Sequence, residues 1–168
     1  MVELHDGPAL ARFALCGDGT VAAAAGAAFG VVLPMQPCRA AQAGGRAALW
    51  LGPNESLLLA PRADLAAVAD GLARALDGLA HSLVEVSDGT VTLLVQGEQA
   101  DLALRAGCPL DLHPRAFPVG MATRTVLSRI GVVLWRRDAT AWHLEVAPSL
   151  AAYARNFLGE AARGFPTG

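Results

Sequence analysis

The chain contains no lysine, and all 13 of its basic residues are arginine. That usage fits either a codon bias or a preference for guanidinium groups, which are suited to interfaces. The net charge is −2, and no basic run is longer than Arg136-Arg137. Nucleic-acid binding therefore lacks its electrostatic footprint. The longest apolar run, Val21–Leu33, has 13 residues and stops at Pro34, which is too short to span a bilayer. Met1-Val2-Glu3-Leu4-His5-Asp6 is acidic and lacks the basic flank of a signal peptide. Cys16, Cys38 and Cys108 are odd in number and form no CxxC pair. A reduced, cytoplasmic protein with buried thiols is expected, with no membrane contact. His5, His81, His113 and His143 match no zinc-finger or HExxH spacing, so no metal site is expected. GxGxxG and GxxxxGK[ST] are also absent, which removes the usual dinucleotide and P-loop fingerprints. Gly17-Asp18-Gly19-Thr20 signals a loop and a helix cap without the rest of a phosphate cradle.

What is present is apolar. Hydrophobic residues make up 54% of the chain and charged residues 17%, against about 45–50% apolar in an average domain. A chain of 168 residues forms one domain, or two small subdomains, and buries about 70% of its extended surface. So apolar a composition suggests further burial against partner chains, although abundant alanine accounts for part of the excess.

Periodicity gives an α+β order of elements. Thr20 is expected to cap an alanine-rich helix over Val21–Phe29 that Gly30 ends. Pro34–Arg46, with two prolines and Gly44-Gly45, reads as a mobile loop. Two strands then flank a turn at Gly52-Pro53-Asn54-Glu55. Leu65, Val68, Leu72, Leu76 and Leu79 recur at helical spacing and predict an amphipathic helix over Ala63–Leu79. Leu83–Ser87 and Val91–Gln96 read as a hairpin around Asp88-Gly89, with Val91, Leu93 and Val95 on its buried face. Glu98–Ala106 predicts a short helix closed by Gly107. Strands follow near Met121–Arg129, Val132–Arg136 and Ala141–Val146. Trp142, Leu144 and Val146 alternate with His143 and Glu145, the pattern of a sheet that is wet on one side. Ser149 is expected to cap a last helix whose stripe holds Leu150, Tyr153, Ala154, Phe157 and Leu158. Runs of this kind predict mostly antiparallel sheets with helices packed on one face.

Gly107-Cys108-Pro109-Leu110-Asp111-Leu112-His113-Pro114-Arg115-Ala116-Phe117-Pro118 is the most informative stretch. Each proline fixes its own φ and pushes its predecessor towards extended geometry, which makes a stiff connector. Cys108, Asp111 and His113 invite a nucleophilic or acid–base reading. The sequence supplies no third orienting group, and a buried thiol beside a turn histidine is the simpler account. Arg136 and Arg137 could clamp a carboxylate or could end a solvated strand. Trp50, Trp135 and Trp142 lie in strand-like runs as core or interface anchors.

Four blocks carry a family resemblance. They are the connector, Leu49-Trp50-Leu51-Gly52-Pro53-Asn54-Glu55-Ser56-Leu57-Leu58-Leu59, Glu85-Val86-Ser87-Asp88, and Pro148-Ser149-Leu150-Ala151-Ala152-Tyr153 through Leu158. In this order they resemble the gamma subunits of heterotetrameric sarcosine oxidase, relatives of the folate-binding fold of the glycine-cleavage T protein. Ser56 stands where the family usually has Trp, Pro148 where it has Arg, Asn54 where it has Asp, and Gly89-Thr90 where it has a more basic pair. The resemblance implies a two-part α+β architecture whose parts join somewhere near 79–112. It implies a non-catalytic subunit of a flavin- and folate-dependent complex that converts sarcosine to glycine, hydrogen peroxide and 5,10-methylenetetrahydrofolate. Alpha, beta and delta chains would be its partners and would carry FAD, FMN, NAD, tetrahydrofolate and zinc. This chain would itself hold no catalytic, cofactor or metal residue. A free-standing folate-binding or aminomethyl-transfer module, or the equivalent subunit for another N-methylated amine, is the alternative. Leu110, Leu112, Phe117 and Arg136 are the candidate edge of a partner surface.

Overall fold

The computed structural model describes residues 1–164. In chain order the elements are β1 (Glu3–Asp6), β2 (Leu10–Cys16), α1 (Gly19–Phe29), β3 (Ala40–Ala43), β4 (Arg46–Gly52), β5 (Glu55–Pro61), α2 (Leu65–Ala75), β6 (Ser82–Glu85), β7 (Val91–Gln96), α3 (Ala100–Arg105), β8 (Ala122–Leu127), β9 (Ile130–Arg136), β10 (Ala141–Val146) and α4 (Ala151–Arg163). Two compact units divide them. One runs over Pro8–Asp88, and the other joins Met1–Gly7 to the chain from Gly89 onward. Each unit holds a five-stranded antiparallel sheet, in the order β3-β4-β5-β2-β6 in the first and β1-β7-β10-β9-β8 in the second. The α+β class read from the sequence is the observed one.

In the unit Pro8–Asp88, α1 and α2 pack on one face of the sheet. Phe13 and Leu58, cross-strand partners on β2 and β5, meet Val21, Ala25 and Phe29 of α1 and Val68 and Leu72 of α2 in one cluster. The cap of α1 is Asp18 and not Thr20. Asp18 Oδ1 accepts the backbone N–H groups of Thr20 and Val21 at 2.9 and 3.1 Å. A carboxylate is the stronger acceptor for these open donors and also opposes the positive helix end. Gly30 closes the helix at φ 80, where a residue with a Cβ is strained. The segment expected to be a loop at Pro34–Arg46 instead contains β3, which forms a hairpin with β4 through Gly44-Gly45. The glycine pair there is turn chemistry between two strands, which composition alone does not separate from an irregular loop. α2 is shorter at both ends than its apolar spacing suggests: Arg62–Asp64 forms a 3-10 turn ahead of it, and the helix stops at Ala75, before Leu76 and Leu79.

The hairpin expected around Asp88-Gly89 does not form. β6 pairs with β2, whereas β7 pairs with β1 and β10 in the other sheet. The turn-like dipeptide is where the chain leaves one sheet for the other. Turn residues report local backbone geometry and carry no information on which strand pairs with which.

In the second unit β10 is the central strand. Leu93, Val95, Leu134, Trp142, Leu144 and Val146 form its core with Leu104 of α3 and Ala154 and Leu158 of α4. Tyr153 of α4 is exposed, as is Leu150 just ahead of the helix, so the stripe of that helix is narrower than expected. Its start is a 3-10 turn over Pro148–Leu150 in which no side chain caps the helix, so Ser149 is not the cap.

β1 docks along the edge of β7, and Gly97 makes this possible. Its φ is 116, and a Cβ there would lie 2.0 Å from the carbonyl oxygen of Met1. Gly97→Ala should therefore release the N-terminal strand, at a cost of about 1–3 kcal/mol from the unfavourable φ alone. Loss of amide protection at His5 and Gly7, whose N–H groups face β7, in hydrogen exchange, with β10 still protected, is the expected readout.

Candidate functional site

The connector lies against the sheet of the second unit. Gly107 opens it in a narrow space: a Cβ there would come 2.6 Å from the Phe157 ring and 2.8 Å from the Ser128 nitrogen. The carbonyl of Gly107 accepts the Ser128 N–H at 2.8 Å. Cys108 follows, buried, its Sγ 3.8 Å from Thr125 Oγ1. Asp111 Oδ1 accepts the backbone N–H of His113 at 2.9 Å, and His113 Nδ1 accepts that of Arg115 at 3.2 Å. The His113 carbonyl then accepts from Ala116 and Phe117 at 2.9 and 2.8 Å. Cys108, Asp111 and His113 are thus engaged separately, with Asp111 and His113 shaping a turn. This is the backbone-capping use of short polar side chains.

Three of the four residues expected at a partner edge are interior. Leu112 is 0%, Phe117 1% and Arg136 6% exposed, and only Leu110 is partly buried at the margin of the core. Phe117 lies 5.2 Å from the Trp142 ring, tilted by 49°. Arg136 neither clamps a carboxylate nor ends a solvated strand. Its Nη1 donates to the Phe117 carbonyl at 2.9 Å, its Nη2 to that of Ala139 at 2.7 Å, and its guanidinium stacks 5.0 Å from the Trp142 ring. The apolar spacing of the connector is explained by this inward packing. Cys16, by contrast, is exposed and Cys38 half-buried, so buried thiols hold only for Cys108.

A second polar cluster is one that sequence reasoning misplaced. His143 and Glu145 are 3% and 1% exposed, so β10 has no wet face. His143 Nε2 lies 2.6 Å from Glu145 Oε1, which also accepts the Thr92 hydroxyl at 2.7 Å, while Thr90 donates to Oε2. The Trp135 ring sits 5.3 Å from His143, and the Arg137 guanidinium is 5.2 Å from Trp135. The signal was available as a pair: Thr90, just ahead of β7, and Thr92 on it alternate as His143 and Glu145 do on β10, and Thr92 faces Glu145 in register. Polar residues alternating on two neighbouring strands fit a buried network as well as a wet face, and only the pairing distinguishes the two.

In the first unit the Glu85-Val86-Ser87-Asp88 block is likewise tied down. Arg12, buried, donates its backbone N–H to Ser87 Oγ at 2.9 Å and its Nη1 to the Ser87 carbonyl at 3.0 Å, and Arg62 pairs with Asp88 at 3.2 Å. Hydrogen bonds from the Ser87 side chain and backbone hold the Glu85 carboxyl below its ordinary range. Among the described residues, no group of three His, Cys, Asp or Glu side chains converges to hold a metal ion.

The fold is that of the glycine-cleavage T protein. The aminomethyltransferase T of Bartonella henselae superimposes with a TM-score of 0.71 at 14% identity, over 96% of this chain and 46% of its own. Within that class the chain belongs to the sarcosine oxidase gamma subunit family, whose model matches residues 14–163. The gamma subunit of an Arthrobacter species is 42% identical over 123 residues, 73% of this chain and 60% of that protein. That of Corynebacterium sp. strain P-1 is 39% identical over 154 residues, 90% of this chain and 74% of that one. The heterotetrameric sarcosine oxidase of Corynebacterium sp. U-96, solved with pyrrole 2-carboxylate, contains a chain with a TM-score of 0.91 and 34% identity, over 99% of this chain and 86% of that one.

These clusters predict three stability outcomes. Phe117→Ala should lose about 3–5 kcal/mol through lost burial and a cavity. Cys108→Ser should stay within about 1 kcal/mol, since a hydroxyl can hydrogen-bond to Thr125. Urea melts of the two variants check the order. Glu145→Ala leaves His143 and two threonine hydroxyls without their carboxylate, and should cost about 3–5 kcal/mol in the same assay. A smaller loss from Glu145→Ala than from Cys108→Ser would contradict the structural weight assigned to this network.

Proposed function

We propose that this chain is a non-catalytic subunit of a sarcosine oxidase complex. The observation that carries the reading is the 0.91 TM-score, over 99% of the chain, to a chain of a heterotetrameric sarcosine oxidase. Local chemistry supports it. Asp111 and His113 serve the backbone of their own turn, and the His143–Glu145 network is buried. Neither arrangement offers an open general base beside a nucleophile, which acid–base or covalent catalysis requires. The complex would oxidatively demethylate sarcosine to glycine, reduce oxygen to hydrogen peroxide and deliver the one-carbon unit to tetrahydrofolate. Alpha, beta and delta chains would carry FAD, FMN, NAD, the folate and zinc, and the assembly would work in the cytoplasm. The role of this chain would then be to hold a shaped apolar surface against its companions.

A tagged form of the chain, co-expressed with its cognate alpha, beta and delta chains, should recover them and sarcosine-dependent peroxide release. Purified alone, it should be colourless and release no peroxide. Turnover by the isolated chain, or failure to capture any companion, would favour a free-standing module of the T-protein fold.

A further inference from the structure

Helix α1 has no polar side. Its sequence, Gly19 through Phe29, carries only Thr20 as a polar side chain, and the 20 residues from Gly19 to Cys38 include no charged one. A helix apolar all round belongs in an interior. Yet α1 places only one side there, through Val21, Ala25 and Phe29, while Ala23 and Ala27 are exposed. Those two alanines, with Gly19 and Gly30, line a groove of about 540 Å³ whose opposite wall is the segment Val31–Met35. Val32 is 86% and Met35 59% exposed along that groove.

The charge pattern selects the occupant. Nucleic acid and anionic lipid surfaces require basic side chains, and an acidic or basic peptide requires the opposite charge. The groove offers neither sign. What complements it is an uncharged apolar segment that covers Val32 and Met35. Small side chains at Ala23 and Ala27 let a facing backbone approach closely, since interhelical distance follows the side chains at the contact. Met35 adapts to the shape of whatever fills the space. The related chain of known structure is part of a heterotetramer, which favours a different chain over a second copy.

We infer that the groove between α1 and Val31–Met35 docks an uncharged, apolar helix of a companion subunit. The inference rests on the function proposed above and assigns that function its contact surface. Arginine is a good helix former, so Ala23→Arg and Ala27→Arg should leave α1 intact while placing a charge in the groove. Met35→Asp, outside any helix, places the opposite charge there.

The test is pull-down of cognate alpha, beta and delta chains by tagged full-length wild type and by each variant, with circular dichroism and thermal melting of each chain alone. Variants that melt as wild type but recover at least tenfold less companion protein support the inference. Full recovery by folded Ala27→Arg and Met35→Asp overturns it while leaving the proposed function in place. If the α1 variants fail to fold, Met35→Asp alone decides in the same two ways. A wild type that captures no companion removes the proposed function and this surface with it. A wild-type homodimer that Ala27→Arg splits into monomers makes the occupant a second copy and overturns the companion assignment.

Discussion

A guanidinium in a nearly dry place needs acceptors for its donors and a polarisable surface for its face. Arg136 has both, in the carbonyls of Phe117 and Ala139 and in the ring of Trp142. The connector depends on this. Its prolines cannot donate main-chain hydrogen bonds, so pairing along a sheet is not open to them, and a side chain from β9 supplies the anchorage instead. Once Phe117 is held against Trp142, the chain beyond it is fixed by backbone bonds to the end of β9. Gly120 donates to the Arg136 carbonyl and Arg136 to that of Met121. A lysine could not do the same, because a single ammonium does not reach two carbonyls while lying flat on an indole. The indole N–H groups of Trp135 and Trp142 are buried without an acceptor among the described residues. These rings therefore serve packing and cation stacking, at the expense of two unmade hydrogen bonds.

The His143–Glu145–Thr92–Thr90 network has the opposite character. It places ionisable groups in the middle of a sheet, where a hydrophobic pair would be at least as stable. Two threonine hydroxyls and an imidazole on one carboxylate satisfy most of its lone pairs. A network of this kind also specifies register: slipping β10 by one residue against β7 would separate Glu145 from Thr92 and place it among the core residues. His143 and Glu145 thus help to define the register of this sheet.

Much was legible in the sequence because it depends on neighbours in the chain. Val68 and Leu72 of α2, with Leu76 just past its end, were visible at helical spacing and are buried as expected. The strands β4 and β5 about Gly52-Pro53-Asn54-Glu55, and the stiff connector with Leu112 and Phe117, were visible for the same reason. The family could be recognised because its blocks are turns and strand ends, whose residue types are dictated locally. Glu85-Val86-Ser87-Asp88 could be named in this way long before its partners Arg12 and Arg62 were known.

Hydropathy and turn chemistry thus determined the class of fold, most elements and the family. Tertiary structure alone decided which strands pair, and with that the meaning of individual residues. Asp88-Gly89 looks like a hairpin turn and is a passage between sheets. His143 and Glu145 look solvated and are buried, tied to Thr90 and Thr92 of the neighbouring segment. Arg136 looks like a surface cation and is an internal staple. In each case a residue's environment is set by atoms distant in sequence, and periodicity reports only that two faces differ, never what covers them.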